Sequence, residues 1–208
     1  QLLGDVPADL SAVWNELRLE INVGQYLDLL GTARADRDVA LAHLIARYKS
    51  GKYTIERPLH VGAALAGRLG DLRAQLSAYG DPLGEAFQLR DDVLGAFGDP
   101  GRTGKPVGQD LREGKPTPLL AAAAERVADR AADGAAALLD RVGDPGLSDA
   151  DVAAIQRVLV DTGALDQIER FIDTLTTRAI DAIEAADVTP EARNELVDLA
   201  RFVASRDA

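Results

Sequence analysis

The sequence predicts an all-α protein, a helical bundle forming one domain over residues 1–208. Three observations carry that expectation. Strong helix formers, chiefly Ala, Leu, Arg and Glu, dominate the chain. Apolar residues recur three and four apart along most of it, and no stretch alternates apolar and polar as a half-buried strand does. The length of 208 residues suits about one large domain, and 47% hydrophobic with 27% charged residues is ordinary globular usage. The helical segments differ in length and spacing, which argues against a solenoid.

Leu10, Val13, Trp14, Leu17, Ile21 and Leu27 lie at helical spacing and predict a first helix ending near Leu30, with Trp14 on its core side. Asp36 to about Tyr48 reads as a second helix. A third runs from Lys52 or Thr54 to Ala66, bending or restarting at Pro58, which has no N–H for the helix ladder. Leu69 to Ala78 reads as a short helix closed by Gly80-Asp81. Pro82 then opens another through Phe97, because Pro is tolerated in a first turn. Gly98, Gly101, Gly104, Gly108 and Gly114, with Pro100 and Pro106, make 98–116 a loop in which no helix is expected. Thr117 to Val142, Asp149 to Thr162, Ala164 to Ala186 and Pro190 to Ser205 complete the bundle. Ser148 and Thr189 stand where N-caps belong.

The formal charge is −11, from 23 basic and 34 acidic residues. Repulsion from phosphate backbones opposes nucleic-acid binding at that balance. There is no Cys, hence no disulfide framework, thiol nucleophile or thiolate metal site, and a cytoplasmic, reducing location is expected. No apolar run reaches the roughly 18 residues of a membrane span. The chain has no Met and opens on Gln1-Leu2-Leu3, so the reading expects a portion of a longer chain, or modified residues that are not written.

The chemistry concentrates in four stretches. Phe87-Gln88-Leu89-Arg90-Asp91-Asp92 sets two adjacent carboxylates in a mostly apolar helix, costly unless something compensates them. A hard divalent cation does so, since Mg²⁺ takes carboxylate oxygen and keeps positions for a phosphate partner. Gln88 shares the helix side of Asp91 and Asp92. Two solvated aspartates near a helix end are the plainer reading. The following loop carries Lys105 and Lys115 among glycines, a composition that suits an anion such as a diphosphate, although it is not a P-loop. An ordinary surface loop is the alternative. Tyr48-Lys49-Ser50-Gly51-Lys52-Tyr53-Thr54 is a basic helix junction, and Gly24-Gln25-Tyr26-Leu27-Asp28 places polar residues in an apolar helix. His43 and His60 stand apart with no ligand pattern around them.

Taken in order, these stretches resemble the trans-isoprenyl (polyprenyl) diphosphate synthase family. Gly24-Gln25-x-x-Asp28 is similar to its GQxxD helix, Lys49-Ser50 to its Lys-Thr pair, Phe87-Gln88-x-x-Asp91-Asp92 to its second aspartate-rich motif, and Thr103-Gly104-Lys105, Asp110 and Gly114-Lys115 to the loop after it. The Ala/Arg-rich wording resembles actinobacterial geranylgeranyl or longer-chain enzymes.

The resemblance implies the isoprenoid synthase bundle, incomplete at the N-terminus. It implies a Mg²⁺-dependent prenyltransferase that condenses isopentenyl diphosphate with an allylic prenyl diphosphate, acting as a homodimer. Asp91 would bind Mg²⁺ directly and Asp92 through water. Lys49 and Lys105 would grip the allylic diphosphate, with Lys115 nearby. Gln88, the Ser50 hydroxyl and the Lys49 carbonyl would face the developing cation. Gln25 and Asp28 would stand behind that layer, and Asp110 would orient the loop. The sequence departs from the pattern at Gly95, where the family has a further Asp, at Ser50 in place of Thr, and in lacking the first aspartate-rich motif. The chain by itself is therefore expected to be inactive. A non-catalytic subunit that binds a diphosphate or a partner helix is the alternative function.

Overall fold

The structure, a computed structural model, describes residues 7–34, 38–98, 107–130 and 133–205. The described residues are helical, with no strand among them. In chain order they are α1 (Ala8–Arg34), α2 (Val39–Ala46), a π-helix (Arg47–Glu56), α3 (Arg57–Leu65), α4 (Leu69–Phe97), α5 (Gln109–Glu113), α6 (Pro118–Arg130), α7 (Asp133–Leu139), α8 (Asp149–Asp161), α9 (Ala164–Glu184) and α10 (Pro190–Ser205).

α4 is the axis of the bundle. Its buried Leu72, Leu76, Tyr79, Leu83, Ala86, Leu89 and Val93 recur at helical spacing and meet α9, whose Ile168, Ile172, Leu175, Ala179 and Ile183 do the same. Full burial of one such Leu or Ile stabilises by about 1.5–3 kcal/mol. Tyr79 is wholly buried, and its hydroxyl donates to the Leu196 carbonyl at 2.7 Å, which ties α10 to α4 without an orphaned polar group. The Ser148 cap is present as a reciprocal capping box with Asp151, and Thr189 Oγ1 accepts from the Ala192 N–H at 3.3 Å.

Three expectations about boundaries are corrected. The break at Gly80-Asp81-Pro82 does not occur, and α4 runs through it for 29 residues. Those glycines serve close packing. A Cβ at Gly80 would come within 2.8 Å of Glu56 Cα, and one at Gly84 within 2.7 Å of Gly51 Cα. The gap between Tyr48 and Lys52 is continuous π-helix, which becomes α-helix at Arg57, beside Pro58 in the first turn of α3. The loop before Thr117 holds a short helix, α5, set between Gly108 and Gly114 at φ of 67° and 69°, a conformation that favours glycine. Trp14, expected in the core, is half-buried, and the neighbouring Val13 takes the fully buried position.

Candidate active site

α1, the π-helix, α4 and the segment following it converge on one cavity of about 240 Å³. Gln25 and Asp28 enter from α1, Lys49 and Ser50 from the π-helix, Gln88, Asp91 and Asp92 from α4, and Asp110 and Lys115 from α5 and just beyond. Nine of the ten residues singled out in the sequence thus line one space. The tenth, Lys105, lies outside the described residues.

Backbone packing explains why the π-helix can lie against its neighbours. A Cβ at Gly51 would sit 2.9 Å from the Gly84 carbonyl carbon, and one at Gly24 would overlap the Lys49 backbone. Three glycines therefore admit the π-helix between α1 and α4, and its wider turn presents Lys49 and Ser50 together. π-Helical turns recur at functional sites.

Lys49 Nζ donates to Asp28 Oδ2 at 2.7 Å, with the two side chains 25% and 17% exposed. Gln88 Nε2 donates to Asp92 Oδ1 at 2.7 Å. Burial pushes the Asp92 carboxyl up to about 8; the nearby Asp110 and Asp91 charges add to the rise, and the Gln88 bond and Lys49 oppose it. Lys115 bonds the buried Asp110 carboxylate and lies 3.0 Å from Glu113. Burial lowers the Lys115 pKa, but its bonds to Asp110 and Glu113 outweigh that and hold it above the ordinary lysine range.

Asp110 also explains Gly95. A Cβ on Gly95 would overlap the Asp110 carboxylate, so the glycine leaves the room that this carboxylate fills.

Tyr53 and Thr54, the end of the basic junction singled out in the sequence, also line the cavity, as do Thr117 and Pro118, which sequence reasoning did not single out. Thr117 and Pro118 had no sequence signal, because their place depends on how the chain returns to the site.

A second polar cluster lies beside the cavity, on the same π-helix. Buried Lys52 donates to Glu56 Oε2 at 2.7 Å and lies 3.4 Å from Glu20. Arg57 makes two 2.7 Å bonds to Glu20 and donates from Nη1 to His60 Nδ1 at 2.9 Å. Nδ1 must then be the bare nitrogen, which leaves Nε2–H to face Ser77 Oγ at 3.1 Å and the Arg73 carbonyl at 3.2 Å. Ser77 donates in turn to Glu56 Oε1 at 2.7 Å. His60 is fully buried, and burial holds its pKa below the ordinary histidine value. Sequence reasoning missed this cluster because its members look individually like solvated charges.

The sequence pattern of the family described as polyprenyl synthetase matches residues 1–156. The chain belongs to that family. It is 35% identical over 187 residues to a geranylfarnesyl diphosphate synthase of Aeropyrum pernix, covering 90% of this chain and 56% of the relative. It is 33% identical over 205 residues to a (2E,6E)-farnesyl diphosphate synthase of Mycobacterium tuberculosis, covering 98% and 56%. Its fold matches the crystal structure of geranylgeranyl pyrophosphate synthase from Corynebacterium glutamicum complexed with isoprenyl diphosphate and magnesium. The TM-score is 0.90 and the identity 40%, over 96% of this chain and 57% of that one. The chain thus spans a little over half the length of the curated relatives it matches. The all-α isoprenoid synthase architecture is established by this family membership and fold. No helix among the described residues is long and apolar enough to cross a membrane.

Proposed function

We propose that these residues form one wall of a Mg²⁺-dependent trans-prenyltransferase site that condenses isopentenyl diphosphate with an allylic prenyl diphosphate. The observation that carries the reading is the sharing of one cavity by Asp91, Asp92, Lys49 and Lys115. Among the described residues, no three acidic or histidine side chains close around a point as a self-contained metal site. A row of hard carboxylate oxygens beside two ammonium groups nevertheless fits a hard cation whose remaining positions are filled by substrate oxygens and water. Asp91 and Asp92 would hold Mg²⁺, which supplies charge neutralisation of a leaving diphosphate.

The protein's own groups divide the remaining work. Lys49 and Lys115 bind diphosphate oxygens as point charges. Gln88 and Ser50 line the cavity, and the Gln88 side-chain oxygen and the Ser50 hydroxyl would stabilise positive charge as it develops on an allylic carbon. Asp28 supports Lys49, with Gln25 beside it in the lining, and Asp110 holds Lys115. Lys105 is part of the same proposal, as a further diphosphate contact. The whole protein is read as a cytoplasmic homodimer, and exposed Leu19, Val23, Tyr26 and Leu29 on α1 offer apolar surface for self-association.

The test is a condensation assay with labelled isopentenyl diphosphate, Mg²⁺ and an allylic diphosphate. It is run on the 208-residue chain and on the same chain extended upstream with a facing aspartate-rich segment. Elongation by the extended chain alone is expected, with Asp91→Ala lowering turnover about a hundredfold or more and Lys115→Ala acting mainly on KM. Robust elongation by the short chain would show that the catalytic centre is misplaced, and none by either would overturn the reading.

A further inference from the structure

We propose that Glu20 is a positioning residue of this cavity: by holding Lys52 and Arg57 on one carboxylate it fixes the π-winding of residues 47–56, and that winding presents Lys49 and Ser50 to the ligand. The proposal rests on the diphosphate reading above and adds a residue that is not among those lining the cavity.

π-Helices are rare, and most are single turns inside an α-helix. This one runs for ten residues, so contacts outside it must select the winding. The glycines do not select it. Gly24, Gly51 and Gly84 give the segment room, and room admits an α-helix as well. The Lys52–Glu56 bond at 2.7 Å does not select it either, because residues four apart are already neighbours on an α-helix.

The Glu20 contacts are different. Lys52 and Arg57 are five residues apart. At 3.6 residues per turn, an α-helix would point them about 140° apart. In a π-helix the i→i+5 bond makes such residues neighbours, and the Arg57 N–H donates to the Lys52 carbonyl. One carboxylate then reaches both side chains. Glu20 Oε1 accepts from Arg57 Nη2 at 2.7 Å and lies 3.4 Å from Lys52 Nζ, while Oε2 accepts from Arg57 Nε at 2.7 Å. The Lys52 and Arg57 side chains are 9% and 7% exposed, so water competes little for either cation.

The same helix face carries the effect to the cavity. Glu20, Gly24 and Asp28 stand four apart on α1 and form one stripe. A Cβ at Gly24 would overlap the Lys49 backbone, and Asp28 accepts from Lys49 Nζ at 2.7 Å. The stripe therefore grips the segment at Lys49 and again at Lys52 and Arg57. Rewinding to an α-helix puts fewer residues in each turn. With Arg57 held at the start of α3, Lys49 and Ser50 would rotate away from the cavity. Loss of the Lys49 contact corresponds to about a tenfold fall in affinity for Mg²⁺–diphosphate, the worth of one hydrogen bond to a charged group.

The experiment pairs two readings on the 208-residue chain. Through-hydrogen-bond NMR couplings identify the carbonyl that accepts from the Arg57 N–H. Calorimetric titration of inorganic diphosphate with Mg²⁺ gives the affinity. In the wild type the acceptor is Lys52. In Glu20→Ala it moves to Tyr53, four residues back as in an α-helix, and affinity falls about tenfold. Glu20→Gln keeps an oxygen for Arg57 but lacks the charge that holds Lys52. It moves the same way with about a threefold fall, and it carries the test if Glu20→Ala does not fold.

Two controls separate positioning from stability. Glu16→Ala removes the 2.5 Å partner of Arg73 but leaves the Lys52–Glu20–Arg57 bridge, and Tyr79→Phe removes the bond to the Leu196 carbonyl. Both should lower the urea midpoint and keep the Lys52 acceptor and the wild-type affinity. A folded Glu20 variant that retains the Lys52 acceptor, or that keeps wild-type affinity after the acceptor moves, overturns the proposal and leaves the diphosphate reading standing. So does an equal loss of affinity in the controls. A wild type that takes no diphosphate with Mg²⁺ overturns both.

Discussion

Two polar clusters share the π-helix, and they differ in how their charges close. On one side Lys49 and Ser50 line the cavity, where the described lining residues include Asp28, Asp91, Asp92, Asp110 and Lys115. On the other, Glu16, Glu20 and Glu56 are matched by Lys52, Arg57 and Arg73, with His60 and Ser77 completing the hydrogen bonds. The second cluster is balanced, so it requires nothing from outside the protein and holds α1, the π-helix, α3 and α4 together. The first opens on a cavity, which a cation and an anion can enter. Two residues of helix, Ser50 and Gly51, separate a structural lysine, Lys52, from one assigned to a ligand, Lys49. Residue type does not tell them apart; the closure of their partners does.

The sharpest way to break the comparison is to open the closed cluster. Glu56→Ala leaves Lys52 buried without its 2.7 Å partner and removes the acceptor of Ser77. Breaking a buried pair from one side costs about 3–5 kcal/mol, to be read as a fall in the urea midpoint. An equal loss from Asp28→Ala in the cavity would erase the distinction.

The next effect is steric. Gly84→Ala pushes a methyl into the Gly51 backbone, from which it can escape only by moving the π-helix. A loss of about 1–3 kcal/mol is expected, together with weaker Mg²⁺–diphosphate binding, since Lys49 and Ser50 move with that helix. Gly62→Ala, where a Cβ meets nothing within 4 Å, is the control and should leave both unchanged.

A smaller effect is the pH dependence of the closed cluster. The folded His60 has its pKa depressed by burial from 6.5, with Glu56 opposing and Arg57 and Arg73 reinforcing the fall. A depressed folded value means stability that is complete above the unfolded value and is lost as pH falls through the folded one. Burial would raise Glu56, but bonds from Lys52 and Ser77 hold it below 4.5, so it adds a further loss at lower pH in the same direction. Urea midpoints should therefore decline below about pH 6.5, and His60→Asn should flatten the upper part of that decline.

How much of this was legible in the sequence follows from the range of the signals. The helices were legible because apolar spacing is local. The cavity residues were legible through motif order, which placed Gln25, Asp28, Lys49, Ser50, Gln88, Asp91, Asp92, Asp110 and Lys115 in stretches that converge. The continuity of α4 was not, because Gly80 and Pro82 read locally as a break, and only contact with Glu56 shows why a glycine is there. The closed cluster was hidden for the same reason: Glu20, Arg57 and Ser77 become partners only after α1, α3 and α4 pack. Gly95 looked like a lost carboxylate until Asp110 was seen in its space.

The most direct test of the contrast is a paired measurement on Asp92→Asn. The substitution keeps the shape of Asp92 and an oxygen that accepts from Gln88, and removes a buried ionisable carboxyl. If Asp92 belongs to the ligand-directed side, the urea midpoint should hold or rise while calorimetric affinity for Mg²⁺–diphosphate falls at least tenfold. A lowered midpoint with unchanged diphosphate affinity would make Asp92 a structural residue and contradict the account.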